Sequence, residues 1–264
     1  MVSGGGSNLK ALHAASTCGR LGGAEIVAVV SDKPGCGGWQ FACDMGIPTL
    51  EFQGKAADTG TPLEETLAYE YDVDVILLAG FLKLIPASLC ERYKRAMLNI
   101  HPALLPAFGG KGFYGERVHK AVIASGVRYD CDDAPCMTYE RWTPHSPCMC
   151  VRTYVCVLPA CYQRTHLNMY VYVSFAIPIY IHVCVCAFRY RVSGPTVHFV
   201  SAEFDRGPIL AQMPVHVLPT DTAATLAARV LRAEHELYVE AAAALCDGRV
   251  FWREDGVPFY TSYR

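Results

Sequence analysis

The chain has 264 residues, 52% of them apolar and 18% charged, with a net charge of −2. That length suits one large domain or two small ones, with a sizeable core. The charge balance excludes the basic excess of a dedicated nucleic-acid binder, and the apolar content excludes disorder. Thirteen cysteines would suit a disulfide scaffold, but such scaffolds are short and secreted. Met1-Val2-Ser3-Gly4-Gly5-Gly6 has neither the charged nor the apolar region of a signal peptide.

The elements read in chain order as strands alternating with helices. Only Met1-Val2 precedes the loop Ser3-Gly4-Gly5-Gly6-Ser7-Asn8, so a truncated or vestigial first strand is expected. Helical patterns cover residues 8–18, 39–45, 62–71, 86–93 and 117–125. Between them, Ile26-Val27-Ala28-Val29-Val30, residues 73–80 and Met97-Leu98-Asn99-Ile100 are apolar runs expected of buried parallel strands. Thr196-Val197-His198-Phe199-Val200 is a fourth strand. A long last helix is expected over residues 222–246, capped by Thr220 or Asp221 and ended by Asp247-Gly248. Together these predict an α/β fold: a doubly wound, mostly parallel sheet. Ligands in such sheets sit beyond the carboxyl ends of the strands.

Residues 129–191 break this pattern. These 63 residues contain no Gly and no Lys, yet hold eight of the 13 Cys and eight of the 15 Tyr. Turns without glycine are hard to build. Residues 171–188 carry no charge over 18 positions, close to a membrane span, but Pro178, His182 and the β-branched alternation suit a strand better. Val183-Cys184-Val185-Cys186 and Tyr170-Val171-Tyr172-Val173 are what TG and TA tracts encode. A retained intron or gene-prediction error is therefore expected over 129–191. Its cysteines do not form paired zinc knuckles. One discontinuous domain, residues 1–128 and 192–264, is expected around the insertion.

Three motifs carry chemistry. The Gly-rich loop opens a helix, where backbone N–H groups and the helix end favour an anion, or where a tight turn is simply capped. Ser7 can cap that helix or donate to phosphate. Asn99-Ile100-His101-Pro102-Ala103-Leu104-Leu105-Pro106 places Asn99 and His101 on one face of a strand. Asn99 offers a neutral donor to a carbonyl becoming an oxyanion, and His101 a proton carrier near neutral pH. Asp205, in Ser201-Ala202-Glu203-Phe204-Asp205-Arg206-Gly207-Pro208, can orient a histidine or satisfy its own turn.

These motifs resemble the phosphoribosylglycinamide formyltransferase family. Ser31-Asp32-Lys33-Pro34-Gly35-Cys36-Gly37-Gly38 and Leu78-Ala79-Gly80-Phe81-Leu82-Lys83-Leu84-Ile85-Pro86 add to the match. Gly109-Gly110-Lys111-Gly112-Phe113-Tyr114-Gly115 resembles the plant and algal members. The resemblance stops over residues 129–191, which it also marks as an insertion. It implies a Rossmann-like formyltransferase fold, and transfer of formyl from 10-formyltetrahydrofolate to the amine of glycinamide ribonucleotide in purine synthesis. It assigns Asn99 to polarising the formyl oxygen, His101 to moving protons, and Asp205 to orienting His101 or a water and raising its partner's pKa. Gly6, Ser7 and Asn8 would take the phosphate and Glu234 the ribonucleotide. Leu82, Lys83, Leu84 and Ile85, with the backbone of Val200, Ser201, Ala202 and Glu203, would line the folate pocket. No metal, nucleic acid or membrane is implied. A monomer or homodimer is expected, in the plastid stroma for a plant or algal chain and otherwise in the cytoplasm. No targeting segment is visible. The alternatives are a methionyl-tRNA formyltransferase or formyltetrahydrofolate hydrolase, which share the Asn-x-His-Pro and Asp elements, and a non-catalytic membrane-tethered form.

Overall fold

The computed structural model describes residues 1–52, 63–125, 149–151, 155–157, 183–184 and 192–261. The chain divides into two units, Met1–Gly126 with Arg191–Arg264, and Val127–Tyr190.

In the first unit, helix α1 (Ser7–Thr17) follows the Gly-rich loop and leads to β1 (Val29–Ser31). Helix α2 (Gly37–Asp44) and β2 (Thr49–Glu51) come next, with β1 and β2 paired in parallel. A short α3 (Leu63–Glu65) passes into a π-helical turn (Thr66–Glu70), then β3 (Ile76–Leu78), α4 (Ala87–Arg92), β4 (Met97–His101) and α5 (Glu116–Ala124). The second unit contributes β5 (Met149–Val151), β6 (Val155–Val157) and β7 (Val183–Cys184), an antiparallel sheet in the order β5-β6-β7. Most of residues 129–191, including the bulk of the uncharged run 171–188, lies outside the described residues. Among the described residues no helix is long and apolar enough to cross a membrane.

The first unit resumes with β8 (Val192–Ser193), β9 (Thr196–Phe199), β10 (Ile209–Gln212), β11 (Val215–His216), α6 (Ala223–Cys246), β12 (Val250–Trp252) and β13 (Pro258–Tyr260). The central sheet has the order β10-β9-β4-β3. β3 and β4 are parallel, whereas β9 runs antiparallel to β4 and to β10. The loop bearing Asp205 is therefore a β9–β10 hairpin connection rather than a strand-to-helix crossover. This places Asn99 of β4 directly opposite His198 of β9.

Two expected strands are shorter than their apolar runs. β1 begins at Val29 rather than Ile26, and β3 covers Ile76–Leu78 rather than residues 73–80. A strand needs partners along its length. Among the described residues, between β1 and β3 only Met1 and Val2 supply them: Val2 N–H donates to Val30 O at 2.9 Å, and Ala79 N–H to Met1 O at 2.8 Å. Beyond these contacts lies a cavity of about 600 Å³ walled by residues 24–30 and 72–77.

Helix α6 binds the layers together. Leu226, Val230, Leu237, Ala241 and Ala244 recur at helical spacing and are buried. The buried Tyr238 hydroxyl donates to Leu78 O and Leu98 O, at 3.0 and 3.1 Å, tying α6 to β3 and β4. Its N-cap is Thr222, not Thr220 or Asp221: the Thr222 hydroxyl accepts the Thr225 N–H at 3.2 Å. Asp221 is occupied by a two-point pairing with Arg229, at 2.6 and 2.8 Å, which with other hydrogen bonds holds its carboxyl down at about 2.

Candidate active site

The Gly-rich loop turns into α1 through Gly6, whose φ of 73° makes it, rather than Ser7, the N-cap. A Cβ at Gly6 would stand 2.6 Å from Gly38 Cα, so the loop and the first turn of α2 approach as only glycines allow. Gly38 N–H donates to Gly4 O at 2.9 Å. Ser7 is the first helical residue, and no side chain caps the helix. Asn8, one residue on, points inward and donates from Nδ2 to Glu234 Oε2 at 2.8 Å. Burial raises the Glu234 carboxyl, and the Asn8 bond only partly offsets this. The loop is tied to the next motif by the Ser3 hydroxyl, which accepts the Leu82 N–H at 2.9 Å.

At the end of β4, His101 is 4% exposed and His198 2%. His101 Nε2 lies 2.8 Å from Phe108 O, and a carbonyl can only accept, so Nε2 carries a proton. In the neutral ring this leaves the lone pair on Nδ1, 3.6 Å from Asp205 Oδ2. His198 is fixed in the opposite sense. Its Nδ1 donates to Phe199 O at 2.8 Å, so the neutral ring offers Nε2 as acceptor to Asn99 Nδ2 at 3.0 Å. Asp205 Oδ1 also stands 3.6 Å from His198 Nε2. A protonated His198 would turn an N–H to that carboxylate and lose the Asn99 bond. At 3.0 against 3.6 Å, the Asn99 contact has the hydrogen-bond geometry.

Asp205 is held from several sides. Its Oδ2 accepts the Gly110 N–H at 2.8 Å, and its φ of 54° is unusual for a residue with a side chain. Burial pushes its carboxyl up. The His198 contact, the His101 charge and the Gly110 N–H outweigh this and hold it below the ordinary range. For His101, burial lowers the pKa, and the pull of Asp205 in the other direction does not compensate. Asp205 pulls His101 upward, but desolvation decides the net direction.

Asn99, His101 and Asp205 share a cavity of about 640 Å³ with Asn8, Glu234, Phe81, Leu82, His119 and the Gly110–Glu116 segment. Of the expected folate residues, Leu82 lines it. Leu84 is exposed, and Lys83 reaches within 3.9 Å of Asp32. Ile85 turns into the core against Phe81 and Leu89, so its side chain packs rather than lining the cavity. Val200 packs on the same core and donates its N–H to Met97 O at 3.0 Å. The Ser201 hydroxyl donates to Glu203 O at 3.1 Å, and the next residue, Phe204, reaches the cavity wall. Among the described residues no cluster of three or more His, Cys, Asp or Glu could hold a metal.

Such a site offers an amide donor fixed by a histidine and an imidazole backed by a carboxylate. A formyl transferase family pattern matches residues 1–131 and 187–242. The chain belongs to the formyl transferase family. The chain is 41% identical over 266 residues to the chloroplastic phosphoribosylglycinamide formyltransferase of Vigna unguiculata, covering 99% of this chain and 64% of the relative. It is 40% identical over 261 residues to the Arabidopsis thaliana enzyme of the same name, covering 97% and 68%. The chain thus spans about two thirds of these relatives' length. A crystal structure of phosphoribosylglycinamide formyltransferase from Anaplasma phagocytophilum superposes with a TM-score of 0.66 at 26% identity, covering 100% of this chain and 93% of that one.

Two buried histidines, His119 on the cavity wall and His198 against Asn99, were not singled out by the motifs. A signal existed for both: each interrupts an apolar face, Thr196–Phe199 in one case and Val118 with Val122 in the other.

Proposed function

We propose that the chain transfers the formyl group of 10-formyltetrahydrofolate to the amine of glycinamide ribonucleotide, a step of purine synthesis. The observation that carries this reading is the convergence of Asn99, His101 and Asp205 with the Asn8–Glu234 pair on one cavity. The names of the similar proteins support the ribonucleotide as formyl acceptor.

The amine lone pair attacks the formyl carbon, and the carbonyl π pair moves onto oxygen. The free N–H of Asn99, oriented by His198, meets that oxyanion. His101 Nδ1 accepts the amine proton, and the charge that develops on the ring is favoured by Asp205. Collapse restores the carbonyl and breaks the bond to the folate nitrogen, which takes the proton back from His101. A neutral His101 is the form this sequence needs, and its lowered pKa supplies it at neutral pH. Gly6, Ser7 and Asn8 take the phosphate, and Glu234 binds the ribonucleotide. Leu82, with the loops at residues 83–85 and 200–203, borders the folate.

Residues 129–191 are proposed to stand outside this catalytic fold. The family match stops at 131 and resumes at 187, which supports that division. The chloroplastic names of the relatives support a plastid location. Formyl transfer by the purified chain, with His101→Ala and Asp205→Ala as controls, tests the reading. A wild-type chain that hydrolyses formyl-folate without formylating the ribonucleotide would refute it.

A further inference from the structure

His119 lies on α5 and is 3% exposed. Its Nδ1 is fully buried with no hydrogen-bond partner among the described residues. A buried ring nitrogen without a partner is costly, and native structures satisfy nearly all such groups. Yet His119 also lines the cavity shared by His101, Asn8 and Glu234. A buried nitrogen without a protein partner, on a residue that also lines the cavity, is unusual for a histidine that serves packing alone. Here Nδ1 is closed off, so Nε2 is the nitrogen that can serve the cavity. Placing the proton on Nε2 leaves only a lone pair at Nδ1 and gives the proton a place where an acceptor can meet it.

The charge state decides what that acceptor is. Burial and the neighbouring His101 both disfavour a positive ring, and the Glu116 carboxylate only partly counters them. A neutral imidazole suits an uncharged oxygen rather than a phosphate. We propose that His119 is a substrate-binding residue whose Nε2–H donates to an uncharged oxygen of the ribonucleotide, a ribose hydroxyl or the amide carbonyl. This rests on the formyl-transfer reading and assigns the ribonucleotide, not the folate, to this wall of the cavity.

Calorimetric titration of the full chain with glycinamide ribonucleotide and, separately, with a non-reactive folate analogue tests it, alongside steady-state turnover. In His119→Ala the ribonucleotide Kd rises about tenfold or more, the cost of one hydrogen bond to a buried partner. The folate analogue Kd stays within twofold. His119→Gln, whose amide N–H can stand near the Nε2 position, restores most ribonucleotide affinity. His119→Asn, whose amide falls near Nδ1, does not. Equal ribonucleotide binding by the wild type and all three variants, or equal losses for both ligands, would overturn the assignment. Should turnover of the wild type be absent, the formyl-transfer reading itself fails; normal wild-type turnover with unchanged His119→Ala binding sinks only the role of His119.

Discussion

His198 stands directly across the antiparallel β4/β9 pair from Asn99, and its Nε2 accepts the Asn99 amide N–H at 3.0 Å. The Phe199 carbonyl, 2.8 Å from Nδ1, fixes the tautomer that makes this possible. One backbone carbonyl thereby sets which way the Asn99 amide faces. His198→Ala removes the anchor without removing Asn99. The expected result is a fall in kcat of about 10- to 100-fold, equivalent to about 1.4–2.7 kcal/mol, with both KM values nearly unchanged. Steady-state kinetics with each substrate varied in turn checks the split.

His101 links activity to pH. Its folded pKa lies below the ordinary histidine value of 6.5, chiefly through burial. Activity is therefore expected to hold from neutral pH down through 6.5 and to fall only below it, as Nδ1 becomes protonated. Stability follows with its own sign. The unfolded chain takes up protons at His101 and His119 near 6.5, while the folded chain resists until lower pH. Unfolded-state proton binding then exceeds that of the native state, so stability falls as pH drops from about 7 towards the lower folded values. Thermal unfolding across this range should show a declining Tm, and His119→Gln should flatten part of the decline.

Gly6 is fixed by conformation and by space. Its φ of 73° and the 2.6 Å approach to Gly38 Cα mean that even alanine must displace backbone. Gly6→Ala is expected to cost about 1–3 kcal/mol. It should also weaken ribonucleotide binding more than folate binding. Denaturant unfolding and the two binding titrations separate these effects.

Among the described residues only Met1 and Val2 fill the slot between β1 and β3, with a cavity of about 600 Å³ beside it. Fusing a short Val- and Ile-rich segment ahead of Met1 should extend both strands and raise Tm by several degrees. Hydrogen exchange should then show new protection over residues 26–28 and 73–75. No change in either would mean that this slot does not accept a strand.

Some of this architecture was legible from residues alone. Helix α6 spans Ala223–Cys246 against an expected 222–246, because its apolar spacing is long and regular. Its cap shifted by one or two residues because Arg229, two turns downstream, captures Asp221. No local pattern reports that pairing. The apolar runs at 26–30 and 73–80 marked strands, but strand length depends on a neighbour that the runs do not describe. Asn99 and His101, at the end of β4, and Asp205, in the loop after β9, stood out as candidates because each sits in a distinctive motif. His198 did not, since its role depends on register across an antiparallel pair and on a reversed β9 direction. The buried Ile85 shows the reverse limit: a residue inside the folate-loop motif can serve the core instead.

The most direct test is a single-turnover formyl-transfer assay on the full chain with glycinamide ribonucleotide and 10-formyltetrahydrofolate. Wild-type protein is expected to form formylated ribonucleotide and tetrahydrofolate in equal amounts. His101→Ala should lose at least about 100-fold in rate, as loss of a proton-transferring group does. A wild-type chain that releases formate instead, or a His101→Ala chain that transfers formyl at the wild-type rate, would contradict the account.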